Sequence, residues 1–258
     1  MRRGIVVSIF LAGNVLFWGG VYFVFFKAPA TCSDGKQNQN EQGVDCGGHC
    51  AAVCQEVIVG QDFEQREVAF VPGGDGRYDV LAKIYNGNEI IGATSFRYTF
   101  ELHSATGDVL ATRSGVNSML PRETKSIIEV NLETDDVPVA ASFVVSDVVW
   151  TRQESYGRPA IGIYQQRYSL LSNGTVYGEA SGLTVNESSD DFRFVIVRVI
   201  LRDRAGTPLA FNQTRQNNIR AGESRSFQLI WPLPFPGEVE KMDMEADVSL
   251  YRPADAQE

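Results

Sequence analysis

The segment 96–102, FRYTFEL, alternates apolar and polar side chains with a period of two, as a strand with one buried face requires. The segment 195–201, VIVRVIL, aligns with it at an offset of 99 residues, and Gly107 and Gly206 mark matching turns after the two segments. Three further blocks match at an offset of 100 residues: 85–86 with 185–186, 123–127 with 223–227, and 147–148 with 247–248. Matches in the same order along the chain predict a duplicated domain.

Both copies consist of short alternating segments separated by Gly, Asn, Asp and Pro, which predicts strands joined by turns. Six strands in about 95 residues favour an immunoglobulin-like β-sandwich, with a barrel as the alternative. We therefore predict an all-β fold of two tandem sandwiches, at 56–150 and 151–252, followed by a flexible tail at 253–258. The predicted strands are 67–71, 78–85, 96–103, 109–112, 124–132 and 141–150 in the first copy, and 161–171, 182–186, 192–202, 208–212, 223–231 and 241–251 in the second.

An uncharged, apolar run occupies residues 4–26 near the N-terminus. A helix of this length reaches across a hydrocarbon core about 30 Å thick, so we predict a transmembrane anchor that contacts lipid through residues 4–26, within a first segment at 1–27. Arg2 and Arg3 precede the run, which predicts a cytoplasmic N-terminus and an extracytoplasmic remainder at the plasma membrane. A cleaved signal peptide is the alternative, since 28–30, Ala-Pro-Ala, imitates a cleavage site, but the run exceeds the usual length of such peptides.

All four cysteines, Cys32, Cys46, Cys50 and Cys54, follow the anchor within a predicted module at 28–55. An even, clustered set outside the membrane predicts two disulfides, whose pairing the spacing leaves open. The residues between the cysteines are almost all polar, so the module needs a covalent or metal link in order to fold.

Calcium is one candidate for such a link, because oxygen ligands stand between glycines at Asp34, Asn38, Glu41 and Asp45. The same residue types are common in turn-rich loops that bind no metal. Zinc on the cysteines and His49 is a further alternative, but the usual C-x2-C spacing is absent. The disulfides alone are the favoured interpretation, with no other cofactor expected.

Two parts of the sequence resemble known protein families. The pattern C-x-DG-x2-N-x2-E-x-GVDCGG-x-C resembles a short cysteine-rich module of prokaryotic envelope and secreted proteins. The strand ends 100–104, FELHS, and 199–203, VILRD, resemble the FxLYD domain, a small prokaryotic immunoglobulin-like module. This second resemblance implies a sandwich fold, and neither resemblance implies catalysis.

The sequence contains few residues in patterns that are typical of catalytic sites. His49 and His103 are the only histidines, and no nucleophile elbow, phosphate loop or zinc-protease motif accompanies them. The adjacent acids at 135–136 and 190–191 are expected to be solvated turns. We therefore predict that the protein is not an enzyme. The formal net charge of -9 disfavours nucleic acid as a partner, because its phosphates are bound by clustered Lys and Arg.

The segment 231–237, WPLPFPG, is an apolar, proline-rich loop without a counterpart in the first copy. Trp231, Leu233 and Phe235 are therefore candidate contacts for a partner, or alternatively a plug for the end of their own sandwich. We predict a binding or scaffolding role toward another envelope component, a protein or a polymer. A purely structural spacer or assembly subunit is the alternative.

Overall fold

The computed structural model describes residues 2–26, 31–38, 40–54, 57–153, 157–171 and 177–248. The predicted tail at 253–258 lies outside the described residues. The chain divides into two compact units, Met1–Val57 and Ile58–Glu258. Both predicted repeats belong to the second unit.

In the first unit, Arg2–Phe26 form a helix, α1. Its described large apolar side chains are mostly exposed, among them Phe10, Leu16 and Phe17. Among the residues whose side chains are described, no helix is both long and apolar enough to cross a membrane.

The cysteine module of the first unit contains both predicted disulfides, and the structure supplies their pairing. Cys32 bonds to Cys50, and Cys46 bonds to Cys54. Gly43 lies against the second bridge, where an added Cβ would approach the Cys46 sulfur to 2.9 Å. The module is thus built around its disulfides, in place of an apolar core.

The second unit is all β. The first repeat has β1 at Glu64–Gly74, β2 at Arg77–Tyr85, β3 at Ile91–His103, β4 at Val109–Met119, β5 at Thr124–Glu133 and β6 at Ala140–Arg152. The second repeat has β7 at Ile161–Leu170, β8 at Gly178–Asn186, β9 at Phe192–Arg202, β10 at Pro208–Ile219, β11 at Ser224–Trp231 and β12 at Lys241–Val248. Each predicted strand overlaps one of these twelve strands.

The two repeats have the same strand order. The first forms the antiparallel sheets β1-β2-β5 and β4-β3-β6, and the second forms β7-β8-β11 and β10-β9-β12. Since each strand of the first repeat has its counterpart six strands later, the topology agrees with the duplication predicted from the sequence.

Within each repeat, alternate side chains of the two sheets meet in one core. Phe96, Phe100 and Leu102 of β3 are fully buried against Val80 and the other inward residues of the facing sheet. Val195, Val197, Val199 and Leu201 of β9 occupy the corresponding core of the second repeat. The apolar positions of the period-two pattern at 96–102 and 195–201 therefore form the inward face of the central strand in each repeat.

A buried asparagine recurs after the second strand of each repeat. The Asn86 side-chain amide donates to the carbonyls of Ile91 and Leu120, at 2.9 Å each. Asn186 makes the same pair of bonds to the carbonyls of Asp190 and Arg220. Each asparagine thus links the connection after its own strand to the turn before the fifth strand of its repeat. This shared structural role explains why Asn86 and Asn186 occupy equivalent positions in the two copies.

Replacing Asn86 with Ala should lower the free energy of unfolding by about 2–4 kcal/mol, because the buried carbonyl of Leu120 and the partly buried carbonyl of Ile91 lose their donor. Asn186→Ala should cost a similar amount, whereas Asn217→Ala, at an exposed position, should stay within about 0.5 kcal/mol. Urea unfolding with the disulfides intact measures all three. Equal stability of the Asn86 and Asn217 variants would contradict the structural role of the repeated asparagine.

Candidate binding groove between the two repeats

The two repeats meet through the outer faces of two sheets. In β2, the residues Val80 and Ala82 face the core of the first repeat, so alternation turns Leu81 outward. Leu81 is nevertheless fully buried, because it packs with Ile200 and Phe211 of the second repeat. The remaining buried members of this apolar strip, which we call the inter-repeat strip, are Val71 and Ile128.

One end of the inter-repeat strip is closed by a forked ion pair. The two terminal nitrogens of Arg202 donate to the two carboxylate oxygens of Glu67, at 2.7 Å each, and Nε donates to Asp243 at 2.8 Å. The hydrogen bonds to Glu67 raise the pKa of Arg202, against the opposing effect of burial. Hydrogen bonds to Glu67 and Asp243 thus occupy two edges of the planar Arg202 guanidinium. Because these bonds are directional, they restrict the angle at which the repeats meet.

A second group of charges lies beside the first, because Lys83 is the cross-strand partner of Glu67. The Glu245 carboxylate accepts from Lys83 at 3.2 Å and from the backbone N–H and hydroxyl of Ser126 at 3.1 and 3.0 Å. Lys125 and Arg198 each lie 3.1 Å from the Asp247 carboxylate. Burial opposes the ionisation of Asp247, but these two cations outweigh it and lower its pKa.

Beyond this contact, the surfaces of the two repeats separate and leave a groove of about 720 Å³. Its walls come from the β1–β2 turn, from the end of β5 and from the loop that follows β11. Ligand pockets commonly measure about 300–1,000 Å³, so the groove can hold a short stretch of an extended chain.

The predicted loop contacts lie at this groove, but they differ in exposure. Trp231 and Phe235 are each only 7% exposed and belong to the core of the second repeat. The indole N–H of Trp231 donates to the carbonyl of Phe211 at 3.2 Å, and Phe235 lies edge-on to Tyr177 with ring centroids 5.0 Å apart. These two rings therefore plug their own sandwich rather than meeting a partner as exposed contacts.

Leu233, in contrast, is 44% exposed and stands at the mouth of the groove. It packs against Gly74 in the β1–β2 turn, where an added Cβ would overlap the leucine Cδ1. Gly74 also has a φ of +93°, so glycine is needed at this position for two reasons. The turn and the loop thus form one continuous wall.

The first repeat contributes a carboxylate to the groove, that of Asp79. Asp79 faces a β-bulge in which Val130 and Asn131 both stand opposite it, between the pairs Tyr78–Leu132 and Val80–Glu129. Asn131 has a left-handed φ of 58°, and its backbone N–H donates to Asp79 Oδ1 at 2.9 Å. Burial raises the pKa of Asp79, and this single hydrogen bond opposes the shift only in part.

The predicted calcium ligands are engaged with one another and with the backbone of the cysteine module. The two carboxylate oxygens of Asp45 accept from the N–H groups of Asp34 and Gly35 at 2.9 Å each. Asp34 accepts from the Asn38 amide at 2.8 Å, and Glu41 accepts from the Asn38 N–H at 3.1 Å. Turn formation therefore accounts for these acids, and among the described residues Asp34, Glu41 and Asp45 do not converge on a common point.

One metal-like grouping exists among the described residues, at Cys32, Glu41 and Cys50. The two cysteines form a disulfide with each other, so neither offers the thiolate that zinc requires.

His103 lies on the outer face of the first repeat, away from the groove. Its Nε2 is 2.9 Å from the Ser142 hydroxyl and 3.5 Å from the Glu101 carboxylate. A catalytic triad needs the serine and the acid on opposite ring nitrogens, whereas here both contact the same one. His49 is exposed in the cysteine module.

The residues that join the repeats and the carboxylate of the groove were not predicted from the sequence. One signal for the joining residues was present: β9 carries Ile196 and Ile200 between its core valines, and a strand apolar on both faces is typically covered on both sides. Asp79 had no comparable signal, since its position depends on a bulge.

Comparisons with known proteins add little to this geometry. No family model and no curated protein matches the chain. A crystal structure of red sea bream transglutaminase is similar over 70% of this chain, with 10% identity and a TM-score of 0.23, and the match spans 29% of that protein. A similarity this weak says nothing about the fold or the activity of this chain.

Removing the forked ion pair tests the junction. Arg202→Ala should lower the free energy of unfolding of the second unit by about 3 kcal/mol, because Glu67 and Asp243 lose their buried partner. The matched control is Arg97→Ala, which breaks an exposed pair with Asp147 and should cost less than about 1 kcal/mol. Urea unfolding measures both, and equal costs would show that the junction does not depend on Arg202.

Proposed function

We propose that this protein binds another component of the cell envelope, a protein or a polymer, through the groove between its repeats, without catalysis. The observation that carries the proposal is the combination of a groove of about 720 Å³ with an exposed apolar side chain, Leu233, at its mouth. Exposed apolar side chains beside a preformed groove are typical of contact sites.

We further propose that residues 4–26 anchor the chain in the plasma membrane, with the cysteine module and both repeats outside. The support is the uncharged sequence of the run, its helical conformation in α1, and the exposure of large apolar side chains such as Phe10, Leu16 and Phe17. Two disulfides in the next segment suit an oxidising compartment.

The two repeats are proposed to be immunoglobulin-like domains of the FxLYD type. The support is the identical order of two three-stranded antiparallel sheets in each repeat, together with the strand ends at 100–104 and 199–203. A binding role suits this architecture, in which loops and inter-sheet grooves vary on a constant scaffold.

The anchor is tested by extraction of native membranes with alkaline carbonate. The wild-type chain should stay in the membrane pellet, whereas the double variant Leu11→Asp, Leu16→Asp should be released, because each charge at the bilayer centre costs about 3 kcal/mol. Leu11→Ala, Leu16→Ala is the control and should remain in the pellet. Release of the wild-type chain would contradict the anchor.

The groove is tested by crosslinking in native membranes followed by purification of the chain. Leu233→Asp should reduce the yield of the crosslinked heterologous partner at least tenfold, because a charge replaces the apolar contact at the mouth of the groove. Val139→Asp is the matched control, an exposed valine outside the groove, and should leave the yield unchanged. Equal yields from both variants would refute the groove, and self-crosslinks as the main product would favour the spacer alternative.

A further inference from the structure

Asp79 differs from the other acids on the facing surfaces of the repeats. Four of those acids, Glu67, Asp243, Glu245 and Asp247, have a lysine or arginine within 3.2 Å. Asp79 has no such cation among the described residues. Its neighbour in sequence, Arg77, is paired with Glu133 at 3.3 Å.

The position of Asp79 on β2 explains why no lysine or arginine of the described residues pairs with its carboxylate. Alternation along β2 places Asp79, Leu81 and Lys83 on the same outer face. The second repeat covers Leu81 with Ile200 and pairs Lys83 with Glu245. Asp79 is the next outward residue along the strand, and there the two repeats separate to form the groove.

The surrounding backbone is shaped around this carboxylate. In the bulge at Val130 and Asn131, Asn131 lies opposite Asp79 and has a left-handed backbone conformation. The Asn131 N–H donates to one oxygen of the Asp79 carboxylate. The other oxygen, Oδ2, has no partner among the described residues. At the equivalent point of the second repeat, the pairing of β8 with β11 is regular, so the bulge belongs to the groove rather than to the repeated fold.

Apolar side chains flank the carboxylate within the same groove. Leu233 and Ile230 are 44% and 46% exposed, and Val130 and Phe211 contribute to the lining. An unpaired, partly desolvated carboxylate attracts a cation more strongly than a solvated one does, because its charge is less screened. Asp79 belongs to the first repeat, whereas Ile230 and Leu233 belong to the second. An extended segment between the two repeats therefore turns alternate side chains toward the carboxylate and toward the apolar residues.

We infer that the groove binds an extended protein segment in which a lysine or arginine, placed against Asp79, is flanked by apolar side chains on Leu233 and Ile230. This inference rests on the proposed function and specifies the chemistry of the partner.

The test uses the full chain in detergent micelles and three synthetic peptides, Ac-Ser-Val-X-Leu-Pro-Ser-amide, with X as Lys, Gln or Glu. Fluorescence anisotropy with a labelled N-terminus measures each affinity at low salt. The Lys peptide should bind about tenfold more tightly than the Gln peptide, and the Glu peptide should bind more weakly than either.

The Asp79→Asn variant isolates the charge. The asparagine Oδ1 can still accept from the Asn131 N–H, and an unpaired, partly buried charge is removed, so the variant should be at least as stable in urea as the wild type. It should bind the Gln peptide within about twofold of the wild type and lose the preference for Lys. Asp136→Asn, an exposed acid outside the groove, should keep that preference.

Three results would overturn the inference: equal affinity for the three peptides, no binding of the Lys peptide at millimolar concentration, or a Lys preference that survives Asp79→Asn. If any of these occurs while Leu233→Asp still removes the crosslinked partner, the groove stands and the basic segment is rejected. If the crosslinked partner is also unaffected, both proposals fail together.

Discussion

The contact of one sheet face with another, closed by Arg202 between Glu67 and Asp243, is the constraint on which the second unit depends. A tandem duplication joined only by a linker would leave two independent sandwiches. Here Leu81 and Ile200, which point away from their own cores, are fully buried against each other's repeat. The groove follows from this contact, because it opens where the two joined faces separate. Any change that loosens the junction therefore also changes the groove.

The sheet faces that form the junction differ from their equivalents on the other side of each repeat. The cross-strand pair Leu81–Ile128 lies in the inter-repeat strip, and its equivalent in the second repeat is Ser181–Gln228. On the other side of the strip, Ile200–Phe211 corresponds to Glu101–Thr112 in the first repeat. At these equivalent positions, polar side chains stand where the junction has apolar ones.

The sequence predicted the strands that carry alternation and missed what depends on tertiary contact. The inward residues of β3 and β9 were found from their period of two. The second half of β4, up to Met119, was missed because residues 113–118 are mostly polar and lack an apolar face. Trp231, Leu233 and Phe235 were predicted together as partner contacts, with a plug as the alternative, and only the structure separates the two buried rings from the exposed Leu233. The pairing of Arg202 with Glu67 joins residues far apart in sequence, which no local pattern encodes.

The difference between paired and unpaired acids connects stability with recognition. A half-buried carboxylate without a cation destabilises the folded state, since burial disfavours its charged form. The junction removes that penalty at Glu67 and Asp247 by supplying arginine or lysine from the neighbouring repeat or strand. At Asp79 the penalty remains, although a single change to asparagine would remove it and keep the hydrogen bond from Asn131. Groups that destabilise the folded state, as this unpaired carboxylate does, are common at functional sites. The left-handed conformation of Asn131 points the same way, because the bulge directs the Asn131 N–H to that carboxylate.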